Sequence, residues 1–194
     1  GQYWYALLRG YEIDDVQYQR KTYGQTYALH KFTNDTADLS RIMMKLCEKM
    51  GRRIRRSGNY ARGIKIWCGY RDRRGYSIGR KLGSTLYATQ DMHHDAMKLL
   101  EGRPWDGNVT HLGVTCYDLQ SVQYMTLPLF ENRLTRNFRM ADAMDAINNT
   151  YGEYVVYPAS MIGMEGEVIK RVPFHATSDT LAEFDIDDAD DFAE

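Results

Sequence analysis

Between Tyr60 and Arg71 apolar and polar side chains alternate, with Ile64, Ile66 and Cys68 at even positions and Lys65, Trp67 and Arg71 at odd ones. A period of two sends these sets to opposite faces of a strand. The stretch therefore predicts a sheet with one buried face and one open face that is cationic and aromatic. Ser77-Ile-Gly-Arg-Lys-Leu82 reads as the returning neighbour, joined through Asp72-Arg-Arg-Gly75. A sheet that must bury one face needs a second layer against it, and this requirement constrains the rest of the chain.

Two segments of helical period supply that layer. The first is capped by Asn34 or Asp35, carries Asp38 in its first turn and ends at Ser57-Gly58-Asn59. Its apolar stripe, Leu39, Ile42, Met43, Leu46, Met50 and Ile54, steps by threes and fours. The second starts at Thr89, turns Met92, Ala96, Leu99 and Leu100 inward, and breaks at Gly102-Arg-Pro104. Two further strands flank them. In Lys21–Leu29, Tyr23, Tyr27 and Leu29 share a face, and the small residues Thr22, Gly24, Thr26 and Ala28 share the other, where another backbone can come close. In Val109–Cys116, Leu112, Val114 and Cys116 oppose His111, Gly113 and Thr115. The order β-α-β-β-α-β predicts an α+β fold, a four-stranded sheet with two helices on one face, the basic pair of strands in its middle and the other face free.

Charge is distributed unevenly. Net charge is only −1, yet Arg41–Lys81 holds fourteen Lys or Arg against two acids, Glu48 and Asp72, while residues 176–194 hold eight acids and no Lys or Arg. A basic body with an acidic tail points to a polyanion-binding module. The cluster Arg52, Arg53, Arg55 and Arg56 reads as a solvated helix end favoured by the helix dipole. His93-His94-Asp95 does not read as a metal site, because adjacent helical residues do not share a face. Asp185, Asp187 and Asp188 read as a solvated, disordered charge run, because paired-metal carboxylates need a rigid scaffold. Cys47, Cys68 and Cys116 are three, widely spaced and set in apolar patterns, which suits buried thiols in a reducing compartment. No apolar run approaches the length of a membrane span, and no signal peptide opens the chain.

Lys21-Thr-Tyr-Gly24, the long helix, Arg62-Gly-Ile-Lys-Ile-Trp67, Arg80-Lys-Leu82 and Val109-Thr-His-Leu-Gly-Val114 occur in an order that resembles the little-finger domain of Y-family translesion DNA polymerases over residues 20–120. Gly1–Asp14 is similar to the end of that family's thumb. Two positions depart from the family pattern: Thr22 replaces a serine, and Thr110-His111 stands where an arginine is usual. Tyr124-Met-Thr-Leu-Pro-Leu-Phe130 resembles the bacterial sliding-clamp-binding peptide without its first glutamine, and Asp142–Gly152 looks like the extension of the mutagenesis branch.

The resemblance implies a C-terminal piece of a longer bacterial enzyme: thumb end and tether (1–20), little finger (21–120), clamp peptide and extension (121–175), and acidic tail (176–194). It implies that Lys21, Thr22, Gly24, Arg62, Lys65, Trp67, Arg71, Arg80, Lys81, His111 and Gly113 meet the backbone of primer–template DNA. Six to eight phosphate contacts would give a slope of log affinity on log salt of about −5 to −7. Met125, Leu127, Leu129 and Phe130 would enter the clamp, with Leu127, Leu129 and Phe130 in its apolar pocket. Polymerisation, with Mg2+ on palm carboxylates, would reside outside this chain, which itself needs no cofactor. The implied location is cytoplasmic, at the nucleoid, with no membrane partner. The alternative is a stand-alone nucleic-acid-binding adaptor.

Overall fold

The computed structural model describes residues 2–11, 21–126 and 133–164. Helix α1, Gln2–Leu8, stands before β1, Thr22–Thr33, and α2, Thr36–Arg56. Strands β2, Asn59–Tyr70, and β3, Gly75–Leu86, follow, then α3, Thr89–Glu101, β4, Val109–Ser121, and α4, Arg133–Tyr151. The four strands form one antiparallel sheet in the order β1-β4-β2-β3. The α+β architecture is the expected one, with one change of place. The basic pair is not the middle of the sheet: β2 is central beside β4, and β3 is an edge.

Helices α2 and α3 cover one face. Asp35 caps α2 by accepting a hydrogen bond from the Ala37 amide at 3.3 Å. The apolar stripe of α2 then fills the core, with Leu39, Met43, Leu46, Met50 and Ile54 fully buried. Ile64, Ile66 and Cys68 of β2 and Leu112, Val114 and Cys116 of β4 meet it from the sheet. All three thiols are free and buried there. His93 joins the layer by a ring contact to the Ser40 carbonyl at 3.1 Å, which ties α3 to α2.

Beyond β4 the chain returns to the helix side. Helix α4 begins at Arg133 and so contains most of the Asp142–Gly152 extension. Phe138 and Ala141 join Tyr60, Tyr87 and Ala88 in a second apolar cluster. Tyr154–Tyr157 forms no strand; the Asn148 side chain holds the Val156 backbone by two hydrogen bonds, at 2.8 and 2.9 Å. Met164 enters the main core, and its carbonyl accepts from Lys45 Nζ.

The arginine cluster at the end of α2 is not a solvated helix end. Arg55 is buried and donates from Nε and Nη2 to the Asp145 carboxylate of α4 at 2.6 and 3.0 Å. Its Nη1 reaches the Tyr87 carbonyl and the Thr89 hydroxyl at 3.0 and 3.3 Å. Thr89 in turn donates to the buried Glu48 at 2.6 Å. Arg52 lies 3.8 Å from Asp145 and 3.6 Å from Glu153. Tyr87 adds a 2.5 Å hydrogen bond to Asp142. These side chains clamp the extension against the helices.

Candidate nucleic-acid interface

The face away from the helices is built of four rows, read from β1 through β4 and β2 to β3. They are Ala28–His111–Gly69–Gly75, Thr26–Gly113–Trp67–Ser77, Gly24–Thr115–Lys65–Gly79 and Thr22–Tyr117–Gly63–Lys81. Glycine recurs in every row, and side chains from neighbouring positions lean into the gaps. A Cβ at Gly24 would stand 2.8 Å from the Thr115 hydroxyl, and one at Gly113 2.9 Å from that of Thr26. The Tyr117 ring occupies the space beside Gly63, and Trp67 lies over Gly69. Among these side chains lies a depression of about 430 Å³ lined by Thr22, Lys65, Trp67, Ser77, Thr115 and Tyr117.

The charged groups on this surface are few. Lys65 is exposed, and Trp67 is 39% exposed with its ring centroid 5.8 Å from that of His111. Lys81 shares the face but is paired with Asp118 at 2.7 Å. That contact, helped by Gln120 and the nearby Arg62 and opposed by partial desolvation, holds the Asp118 carboxyl below its ordinary range. Backbone donors beside Thr22, Gly24 and Gly113 take part in the β1–β4 ladder.

The sequence-predicted residues thus divide. Thr22, Gly24, Lys65, Trp67, Lys81, His111 and Gly113 share the open face. Lys21 is exposed just before β1, and Arg71 just after β2. Arg80 is a correction: it pairs with Ile64 and so points to the helix side of the edge strand. Arg62 is half-buried, beside Asp118. Thr110 is buried and donates to the Gly69 carbonyl at 3.1 Å, so of the Thr110-His111 pair only His111 faces outward. The basic window itself splits, because its α2 cations lie behind the sheet. Asp118, Thr115 and Tyr117 belong to the face although sequence reasoning did not select Asp118 or Tyr117.

Of the proposed clamp contacts, Met125 is half-buried against the second apolar cluster, and Tyr124 before it is 77% exposed. Leu127, Leu129 and Phe130 lie outside the described residues, as does the acidic tail. Among the described residues no three His, Cys, Asp or Glu side chains gather as metal ligands, and no helix is long and apolar enough to cross a membrane.

Comparison with known proteins places these features in a family. The model of the impB/mucB/samB family C-terminal domain matches residues 20–129. A DNA polymerase IV of Clostridium acetobutylicum is 27% identical over 132 residues, 68% of this chain and 33% of that protein. DNA polymerase IV 1 of Halalkalibacterium halodurans is 24% identical over 153 residues, 76% of this chain and 37% of that one. The chain spans about a third of the length of these curated relatives. Among solved structures, a complex of the beta-clamp processivity factor and the little finger domain of PolIV aligns with 11% identity and a TM-score of 0.41, over 58% of this chain and 95% of that one.

Proposed function

This chain belongs to the impB/mucB/samB family through its C-terminal domain, the little finger of Y-family DNA polymerases, and from that premise we propose that its open sheet face grips the backbone of primer–template duplex during damage bypass. The observation that carries the reading is the glycine-interleaved face around Lys65 and Trp67, set opposite the helix layer. A duplex presents a regular lattice of phosphates, and a face interleaved with glycines leaves room between its exposed side chains for that backbone to approach. Lys65 supplies a free ammonium, Arg71 and Lys21 flank the face, and Trp67 offers a flat ring for a sugar edge. None of these groups reads bases, so the grip is independent of sequence.

The same reading assigns Met125, Leu127, Leu129 and Phe130 to a sliding-clamp contact that tethers the protein to DNA. Its support is the sequence pattern of residues 124–130. Nucleotidyl transfer with Mg2+ belongs, on this reading, to carboxylates of the longer protein, and this chain contributes binding. The place of action is cytoplasmic, at the nucleoid.

The test is fluorescence anisotropy on a labelled primer–template duplex across 50–200 mM salt. Four or five phosphate contacts, from Lys21, Arg62, Lys65, Arg71 and in part Lys81, predict a slope of about −3.5 to −4.5 in log affinity against log salt. Lys65→Ala with Trp67→Ala weakens binding at least tenfold. Binding that ignores salt, or that survives this double variant unchanged, rejects the interface. In the same assay Leu129→Ala with Phe130→Ala keeps DNA affinity and loses clamp binding; retained clamp binding rejects that contact.

A further inference from the structure

Asp118 has a backbone φ of 55° inside β4, the left-handed region that side chains other than glycine seldom adopt. The register to β2 is kept on either side of it, with Tyr117 opposite Gly63 and Leu119 opposite Ala61. What changes is the phase of the side chains. Tyr117 lies on the open face, and Leu119 packs against the main core. Plain alternation would send Asp118 to the core side and Leu119 outward. The left-handed residue absorbs the switch and turns its carboxylate to the open side, where it meets Lys81 Nζ of the edge strand at 2.7 Å. Gln120 donates to its other oxygen at 3.4 Å.

Stability does not account for an acid at this place. A partly exposed ion pair contributes little, and a left-handed non-glycine residue costs something to hold. The consequence lies on the face itself. Of the sixteen open-face positions in the four rows only Lys65 and Lys81 carry an ammonium, and Asp118 engages one of them.

We infer that Asp118 is a brake on the open face, an acid that occupies Lys81 and weakens the field of Arg62 so that duplex is held loosely enough to release. The inference rests on the DNA-binding reading above and deepens it, since it names the residue that sets the strength of the grip. A phosphate must displace the carboxylate from Lys81 before that lysine counts as a contact.

The experiment is the anisotropy titration of the full chain carrying Asp118→Asn, which keeps the shape and tolerates the left-handed backbone. Affinity at 50 mM salt rises roughly three- to tenfold, and the salt slope steepens by about 0.9, the value of one additional phosphate contact. With Lys81→Ala already present, the same substitution yields less than half of that gain. Asp118→Gly, better suited to the backbone, gives the same tightening as Asp118→Asn. If neither variant tightens binding while Lys65→Ala still weakens it, the brake is wrong and the interface stands. If Lys65→Ala is without effect at every salt concentration, the interface fails first. A full gain in the Lys81→Ala background refutes the pairing as the cause.

Discussion

The Arg55 network offers the most demanding test of the packing that supports this face. Arg55 has a side chain only 4% exposed and makes four hydrogen bonds, two of them to Asp145. Glu48, 2% exposed, keeps the Thr89 hydroxyl as a donor and draws on the same guanidinium for compensation. In Arg55→Ala the buried Glu48 loses its cation, and the Tyr87 carbonyl and Asp145 lose theirs as a donor. Removing one partner of a buried ion pair costs about 3–5 kcal/mol. For a chain of this size, each kcal/mol lowers the melting temperature by about 2–4 °C, which gives a fall of about 6–20 °C. Asp145→Asn is gentler, about 1–2 kcal/mol, because Arg55 keeps Glu48 beside it and an amide oxygen can still accept. Thermal unfolding followed by circular dichroism reads both values. Because the network lies behind the sheet, DNA affinity at a temperature where both variants are folded should stay within twofold of the parent. A fall below about 3 °C for Arg55→Ala, or equal losses for the two variants, would refute the claim that Glu48 depends on Arg55.

Two other outcomes follow from the geometry. Gly63→Ala places a methyl group against the Tyr117 ring and destabilises by about 1–3 kcal/mol. Tyr117→Ala in the same chain recovers most of that loss in a denaturant titration, and an uncorrected loss would show that the ring is not the obstacle. The thiols provide a pH signature. Burial pushes Cys68 up to about 11 and Cys116 up to about 12, and burial followed by Cys116 and Glu48 pushes Cys47 well up too. A raised acid favours the folded state while it is protonated, so this stability is complete below the unfolded thiol range near pH ~8.5 and drains away as pH climbs toward 11–12. Alkylation at pH 8 therefore leaves all three thiols unmodified in the folded chain and labels three in denaturant; native labelling of any one contradicts the burial.

The strands and helices were legible because each has one face that must leave water. Ile64, Ile66 and Cys68, or Leu112, Val114 and Cys116, cannot exchange faces with Lys65 or His111 without burying charge or exposing core. Strand order carries no such signature. A central and an edge strand can show similar alternation, and β3 is an edge because β4 inserts between β1 and β2. The phase of β3 was also open, since Arg80 and Lys81 are adjacent cations and Ile78 is 38% exposed at the edge. Only pairing with β2 separates them. Asp118 was invisible for a related reason: a polar residue between Tyr117 and Leu119 fits either face, and nothing local announces a left-handed backbone at an aspartate.

The basic window does not lie on one face of the fold, for a reason that reaches beyond this chain. Fourteen cations between Arg41 and Lys81 look like one patch because they are neighbours in sequence. An α-β-β unit distributes such a run over two layers, and the cations on α2 are spent on packing. Arg55 ties down α4, Arg53 lies over the Tyr23 ring at 5.4 Å, and Lys45 holds the chain near Met164. What remains on the open face is modest in charge, with ammonium groups only at Lys65 and Lys81 of its four rows. On the proposed reading such a face grips a duplex through few charges, and its affinity then turns on single contacts. On such a surface one carboxylate at Asp118 has a leverage that it would not have on a strongly cationic one. The salt slope is the quantity that separates the two cases: near −4 for four or five contacts, and −5 to −7 for six to eight.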